Sequence, residues 1–249
     1  MKVLFAGPSL AGAACLRALQ AGSSGGRGDF VVRGPAQQGD LLRAVFDGAM
    51  VIGLVDGLYE AVAAVWHKEI LFALSEGVQV FGAASMGAMR AAECASFGMV
   101  GVGQVYERYA TGDLDDDAAV AQIHAPAELG YMPLTEALVN VEATVAALLA
   151  SGLVSAAEAA QLCATAADQH FKERTYPGII AALPLPDQRR VEIAAAIAAN
   201  KRDIKRSDAE DLVRILVATP AERRPPPTWQ LSRTTLLERL IEEAKRPAS

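Results

Sequence analysis

Cysteine is scarce in this chain and poorly placed for cross-linking. Cys15, Cys94 and Cys163 are odd in number, far apart, and none belongs to a CxxC pair. That pattern excludes a disulfide framework and a zinc ribbon and fits a reducing compartment. Aromatic residues make up only 6% of the 249, so close packing must come from small aliphatic side chains, alanine above all. Positive charge is also short: 23 Lys and Arg stand against 29 Asp and Glu, a formal charge of -6. This argues against a nucleic-acid binder driven by phosphate neutralisation. No apolar run reaches the length of a membrane span without interruption. Met1-Lys2 leads straight into a strand-like run, with neither a charged leader segment nor a cleavage site. No HExxH and no paired zinc ligands occur, and the reading expects no metal, no membrane and a cytoplasmic location. The 52% apolar and 21% charged content that remains describes a globular chain, long enough for one domain with an appendage.

The first half alternates strand and helix patterns. Val3 to Ala6, Phe30 to Arg33, Met50 to Val55 and Val78 to Phe81 read as short buried strands. Helices are expected after Gly7-Pro8-Ser9 to about Leu19, from Asp40 to Phe46, and from Tyr59 to Ser75, with a flexible loop over Gly22 to Gly26. Strands alternating with helices imply parallel pairing, with ligands beyond the carboxyl ends of the strands. After about Asp117 helical periodicity follows helical periodicity: Leu134 to Ala150, Ser155 to Phe171, Asp187 to Asn200, Ser207 to Ala218 and Leu231 to Ala244. The expected architecture is α/β, an N-terminal parallel-sheet domain over residues 1–126 with an all-α C-terminal half over 127–249.

One stretch carries the clearest chemical signal. Val78-Gln79-Val80-Phe81-Gly82-Ala83-Ala84-Ser85-Met86-Gly87-Ala88 is a strand running into small residues, one serine, and a helix. Small neighbours allow a sharp turn that exposes the hydroxyl, as in a hydrolase nucleophile elbow, although the pattern here is AxSxG and not GxSxG. The helix start aims free N–H groups at whatever occupies Ser85. The plainer alternative is that Ser85 is a helix N-cap. Gly7-Pro8-Ser9-Leu10-Ala11-Gly12 has P-loop glycine spacing, but Ala13-Ala14 stand where the phosphate-binding Lys and Ser/Thr belong. Ser9 is thus an N-cap or a second candidate nucleophile on the same rim as Asp56-Gly57. Trp66-His67-Lys68-Glu69 interrupts an apolar helix pattern. It is either a surface charge cluster or the place where a desolvated Lys68, or His67, serves as general base. Neighbours on a helix diverge by about a hundred degrees, so the two cannot face one way. Asp113, Asp115, Asp116 and Asp117 fit helix-start chemistry better than a calcium loop. The Lys201-Arg202-Asp203-Ile204-Lys205-Arg206 cluster reads as a solvated helix end or a patch for an acidic partner.

Taken together, Gly7-Pro8-Ser9, Val55-Asp56-Gly57, Trp66-His67-Lys68-Glu69-Ile70-Leu71, Phe81 to Ala88 and Phe97-Gly98-Met99-x-Gly101-x-Gly103, continued by Asp115-Asp116-Asp117 and His124, are similar to the TfuA family. The resemblance covers about the first half of the chain. It implies a partner of a YcaO enzyme, which uses ATP to activate a peptide amide for backbone thioamidation. It further implies that the protein hydrolyses a thiocarboxylated ThiS-type carrier protein with a Ser-Lys pair, needing no metal or organic cofactor. A precursor peptide would be met through the YcaO enzyme. Carried onto this sequence, Lys68 is the lysine in a matching word, Ser85 the first choice of serine and Ser9 the second, with His67 as a further candidate base. N–H groups near Met86 and Gly87 would hold developing negative charge, and a rim crowded with Gly7, Asp56, Gly57, Gly82 and Gly87 would admit a narrow carrier tail. Two other readings stay open. One is a noncatalytic adaptor that improves peptide engagement by YcaO. The other is a small-ester serine hydrolase using His124 or His170.

Overall fold

Val3-Leu4-Phe5 and Val51-Ile52-Gly53-Leu54 are apolar on both faces, which suits strands covered by helices on two sides. The computed structural model, which describes residues 1–24, 30–60 and 62–246 with the side chains of 20–24 excepted, places them that way. Strands β1 (Lys2–Phe5), β2 (Phe30–Arg33), β3 (Val51–Leu54), β4 (Gln79–Ala83) and β5 (Val100–Val102) form one parallel sheet in the order β2-β1-β3-β4-β5. In register, Leu4 faces Gly53 and Gly53 faces Phe81. This is a doubly wound order whose direction reverses between β1 and β3, the place where such sheets bind ligands.

The first-half helices are α1 (Ala14–Ser24), α2 (Asp40–Phe46), α3 (His67–Ser75), α4 (Met86–Cys94) and α5 (Gln104–Thr111). Those of the second half are α6 (Leu138–Ala150), α7 (Ala156–Asp168), α8 (Tyr176–Ala181), α9 (Asp187–Asn200), α10 (Ile204–Ala218) and α11 (Thr235–Ala244). After β5 no strand follows among the described residues, so the α/β sheet with a helical second half is as the sequence predicts. On one sheet face α2, α3, α4 and α11 enclose Val3, Phe5, Ile52, Leu54 and Val80. On the other, Ala209, Leu212, Val213 and Leu216 of α10 pack with α1 on Leu4, Val51, Val55 and Phe81. Helices α6 to α9 build a core of their own around Leu148, Leu162, Ile179 and Ile193.

Two expectations need correction. Tyr59 to Ser75 is not one helix, because α3 begins only at His67. The preceding segment runs extended beside residues 36–38: Ala36 bridges Gly57, Leu58 N–H donates to the Ala36 carbonyl, and Gln38 N–H to that of Ala63. These tertiary hydrogen bonds override the helix propensity of an Ala-Val run, although Ala61 itself lies outside the described residues. Helix α1 continues to Ser24 through part of the expected Gly22–Gly26 loop, of which Gly25 and Gly26 lie outside the described residues. Strand β5 and α8, of three and six residues, are too short to register as periodic patterns.

Candidate active site

The turn after β4 is strained. Ala84 has φ of +67°, a left-handed conformation that costs a residue with a Cβ free energy. Ser85 N–H donates back to the Ala83 carbonyl at 2.8 Å, closing a tight three-residue turn of a rare and strained kind. Such strain persists where the surroundings over-determine it, and it concentrates at functional sites. The surroundings here are glycines. Gly87 N–H donates to the Val55 carbonyl at 3.1 Å, and a Cβ on Gly87 would overlap the Leu54 carbonyl oxygen. Likewise a Cβ on Gly82 would overlap the Gly87 carbonyl oxygen, one on Gly57 the Met86 sulfur, and one on Gly7 the Pro35 ring. These glycines serve close packing of α4 and the rim on the sheet. Gly87 N–H is likewise committed to Val55 and is not open to a bound anion.

Ser85 stands at the N-cap position of α4 yet makes no capping hydrogen bond with its side chain. Its hydroxyl instead borders a cleft of about 180 Å³. Asp56, Tyr59, Gln122, His124 and Lys205 line the same cleft, with Phe171 and Pro8 on its apolar walls. The N-cap explanation therefore does not account for Ser85.

Ser9 is differently placed. Its Oγ donates to Asp56 Oδ1 at 2.7 Å, while Gly7 N–H and Ser9 N–H donate to Asp56 Oδ2 at 2.8 and 3.0 Å. The buried Asp56 carboxylate thus ties the short turn Pro8–Leu10 to the end of β3, and the Ser9 hydroxyl is spent on that tie.

The structure does not bring Lys68 to either serine. With α3 starting at His67, the half-buried Lys68 sits in its first turn and donates to the Ser232 carbonyl at 2.9 Å. His67 pairs through Nε2 with Glu93 at 2.8 Å beside Arg90, also away from the cleft-lining residues. His170 is exposed, whereas His124 lines the cleft with Nδ1 directed at the Ala125 carbonyl, 2.8 Å away.

The lysine in the cleft is Lys205. It is fully buried, and its Nζ donates to the Val120 carbonyl at 2.6 Å and to Gln122 Oε1 at 3.0 Å. Burial pushes its pKa below the ordinary lysine value, against the opposing fields of Asp56 and Asp203. These two acceptors occupy two of the N–H groups of Lys205. Its position is built by the start of α10: Asp203 caps that helix through Arg206 N–H and accepts from Asn140 Nδ2, and Asn140 Oδ1 accepts from Lys205 N–H. Of the Lys201–Arg206 cluster, expected as a solvated helix end or a patch for an acidic partner, Lys205 is buried instead. The signal that could have found Lys205 is the stripe Lys205-Ala209-Leu212-Leu216, spaced four, three and four, which puts it on the buried face of α10.

Among the described residues no group of three or more His, Cys, Asp or Glu side chains is placed to hold a metal ion, and no helix is long and apolar enough to cross a membrane. Asp116 of the acidic run caps the turn 117–119 through Ala118 N–H, and burial together with Asp116 raises the Asp117 carboxyl. No curated protein matches the chain. Residues 56–175, which hold Asp56, Tyr59, Ser85 and His124 but not Lys205, match the model of the TfuA-like protein family. Over this stretch, just under half of its length, the chain is similar to the TfuA-like family.

Proposed function

We propose that this chain, within the YcaO-dependent thioamidation with which the TfuA-like family is associated, hydrolyses the thiocarboxylated C-terminus of a ThiS-type carrier protein, with Ser85 as nucleophile and Lys205 as base, and delivers sulfide to a YcaO enzyme. One observation carries the reading: a serine held by a strained turn, not used as a cap, shares a cleft with a buried lysine.

The chemistry follows from the side chains. Neutral Lys205 accepts the Ser85 proton, directly or through one water, as Ser85 Oγ attacks the carbonyl carbon of the thiocarboxylate. No hydrogen bond joins the two side chains among the described residues, and the cleft has room for a bridging water. The attacked group is already anionic, so the tetrahedral species carries additional negative charge. The lysinium formed in the first step offsets that charge and returns its proton to sulfur. The C–S bond breaks, hydrosulfide leaves, and the carrier's acyl group remains as an ester on Ser85. Water activated by Lys205 then cleaves the ester, releasing the carrier carboxylate and restoring the serine. Asp56 helps hold the transferred proton on Lys205 through its field.

Rapid quenching of enzyme mixed with thiocarboxylated carrier, followed by peptide mass spectrometry, tests the assignment. The expected result is the carrier's acyl group on the peptide bearing Ser85. An adduct on Ser9, or carrier bound with its thiocarboxylate intact after prolonged incubation, contradicts it. The latter result would favour the adaptor.

A further inference from the structure

Tyr59 lies in the extended segment before α3 and borders both the cleft of Ser85 and a second cavity behind it. Its hydroxyl is buried and, among the described residues, has no hydrogen-bond partner. Ser85 lies near enough to favour the phenolate without completing a hydrogen bond. A buried, unpartnered hydroxyl costs free energy, and its retention calls for an explanation, of which a catalytic role is one. Burial, the dominant influence, raises the phenol above its ordinary pKa, so the group stays protonated and can donate.

The backbone leaves a role for such a donor. In the turn that carries Ser85, its own N–H donates to Ala83 and Gly87 N–H to Val55. Met86 N–H, at the first position of α4, is the amide left without an intrahelical acceptor. Stabilising a tetrahedral oxyanion takes preorganised donors aimed at the developing charge, commonly two.

We propose that Tyr59 is a catalytic residue: its hydroxyl donates to the oxyanion that forms when Ser85 attacks a carbonyl, beside Met86 N–H. The proposal rests on Ser85 acting as a nucleophile, the reading given above. It involves no proton transfer, because Tyr59 donates a hydrogen bond and keeps its proton.

The test compares wild type, Tyr59→Phe and Ser85→Ala in sulfide release from a thiocarboxylated carrier and in labelling by a fluorophosphonate, whose phosphoryl oxygen occupies the oxyanion position. Tyr59→Phe should lower kcat on the order of 10²-fold with KM within about twofold of wild type. Its labelling of Ser85 should slow in parallel. Its Tm should stay level or rise, since the lost hydroxyl had no partner, whereas loss of a structural hydrogen bond would lower it. Unchanged kcat in Tyr59→Phe, with Ser85→Ala inactive, overturns the inference while the hydrolytic reading stands. If wild type releases no sulfide, that reading fails and labelling alone decides: slower labelling of Tyr59→Phe sustains the inference. Equal labelling, or none in the wild type, overturns it.

Discussion

Glu69 is fully buried in the first turn of α3, where its carboxylate accepts N–H bonds from Gly39 at 2.8 Å and Trp66 at 3.1 Å. Burial outweighs those bonds and raises its pKa from 4.5 to about 7. A carboxyl whose folded pKa exceeds its unfolded value holds its proton more tightly when folded. Its stabilising effect is therefore complete below about pH 4.5 and is lost as pH rises through about 7. The shift corresponds to about 3 kcal/mol. Denaturant unfolding of Glu69→Gln should show a flatter dependence of stability on pH between about 5 and 8 than wild type. Parallel pH profiles would contradict the assignment. The same residue shows what sequence could and could not tell at this scale. Glu69 was visible as one member of the polar knot WHKE, but its burial depends on Gly39, thirty positions earlier. The orientation of Lys68 likewise depends on where α3 begins, and that start is set by hydrogen bonds to residues 36–38. Ser85 and Asp56 were legible because strand-end turns in parallel sheets gather on one rim. The Tyr59 hydroxyl was not, since its segment has the composition of a helix.

Helix α4 illustrates how an element imposes residue identity. Its first turn lies directly on the end of β3, so Gly87→Ala would drive a methyl into the Leu54 carbonyl. The expected cost is about 3 kcal/mol or more, read as a fall in Tm and in denaturant midpoint. Ser85→Ala should leave both unchanged, because the hydroxyl caps nothing. A clear loss of stability in Ser85→Ala would restore the capping explanation. Another fastener is Arg174, buried between elements. Its guanidinium donates to the carbonyls of Ala166 at 2.8 Å and Gln169 at 3.0 Å, and more weakly to Ala118 and Glu136. It holds the end of α7 against the turn that leads to Val120 and Gln122, the partners of Lys205. Arg174→Met leaves those acceptors unpaired and should cost about 2–4 kcal/mol, measured by equilibrium unfolding.

At the scale of the molecule, the sheet needs both ends of the chain. Helix α10 covers one sheet face and supplies Lys205, and Lys2 Nζ caps its carboxyl end by donating to Leu216 and Val217. Asp208 of α10 in turn caps α5, accepting from Gln104 and Val105 N–H. A chain ending at residue 200 should therefore lack dispersed amide resonances and a cooperative melt, and one that melts cooperatively would contradict this packing. The sheet class and the helical second half were legible, because strand-helix alternation and its disappearance are periodic signals. The return of α10 onto the sheet was not, because a helix's periodicity reveals its buried face and not the surface it meets.

The central claim is that Ser85 and Lys205 form the working pair. Its most direct test is sulfide release from a thiocarboxylated ThiS-type carrier by wild type, Ser85→Ala, Lys205→Met and Lys68→Met, each first checked for a native melt. The account predicts release by wild type, none by Ser85→Ala, a loss on the order of 10²–10⁴-fold in Lys205→Met, and near-normal release by Lys68→Met. Loss in Lys68→Met with Lys205→Met active would contradict it.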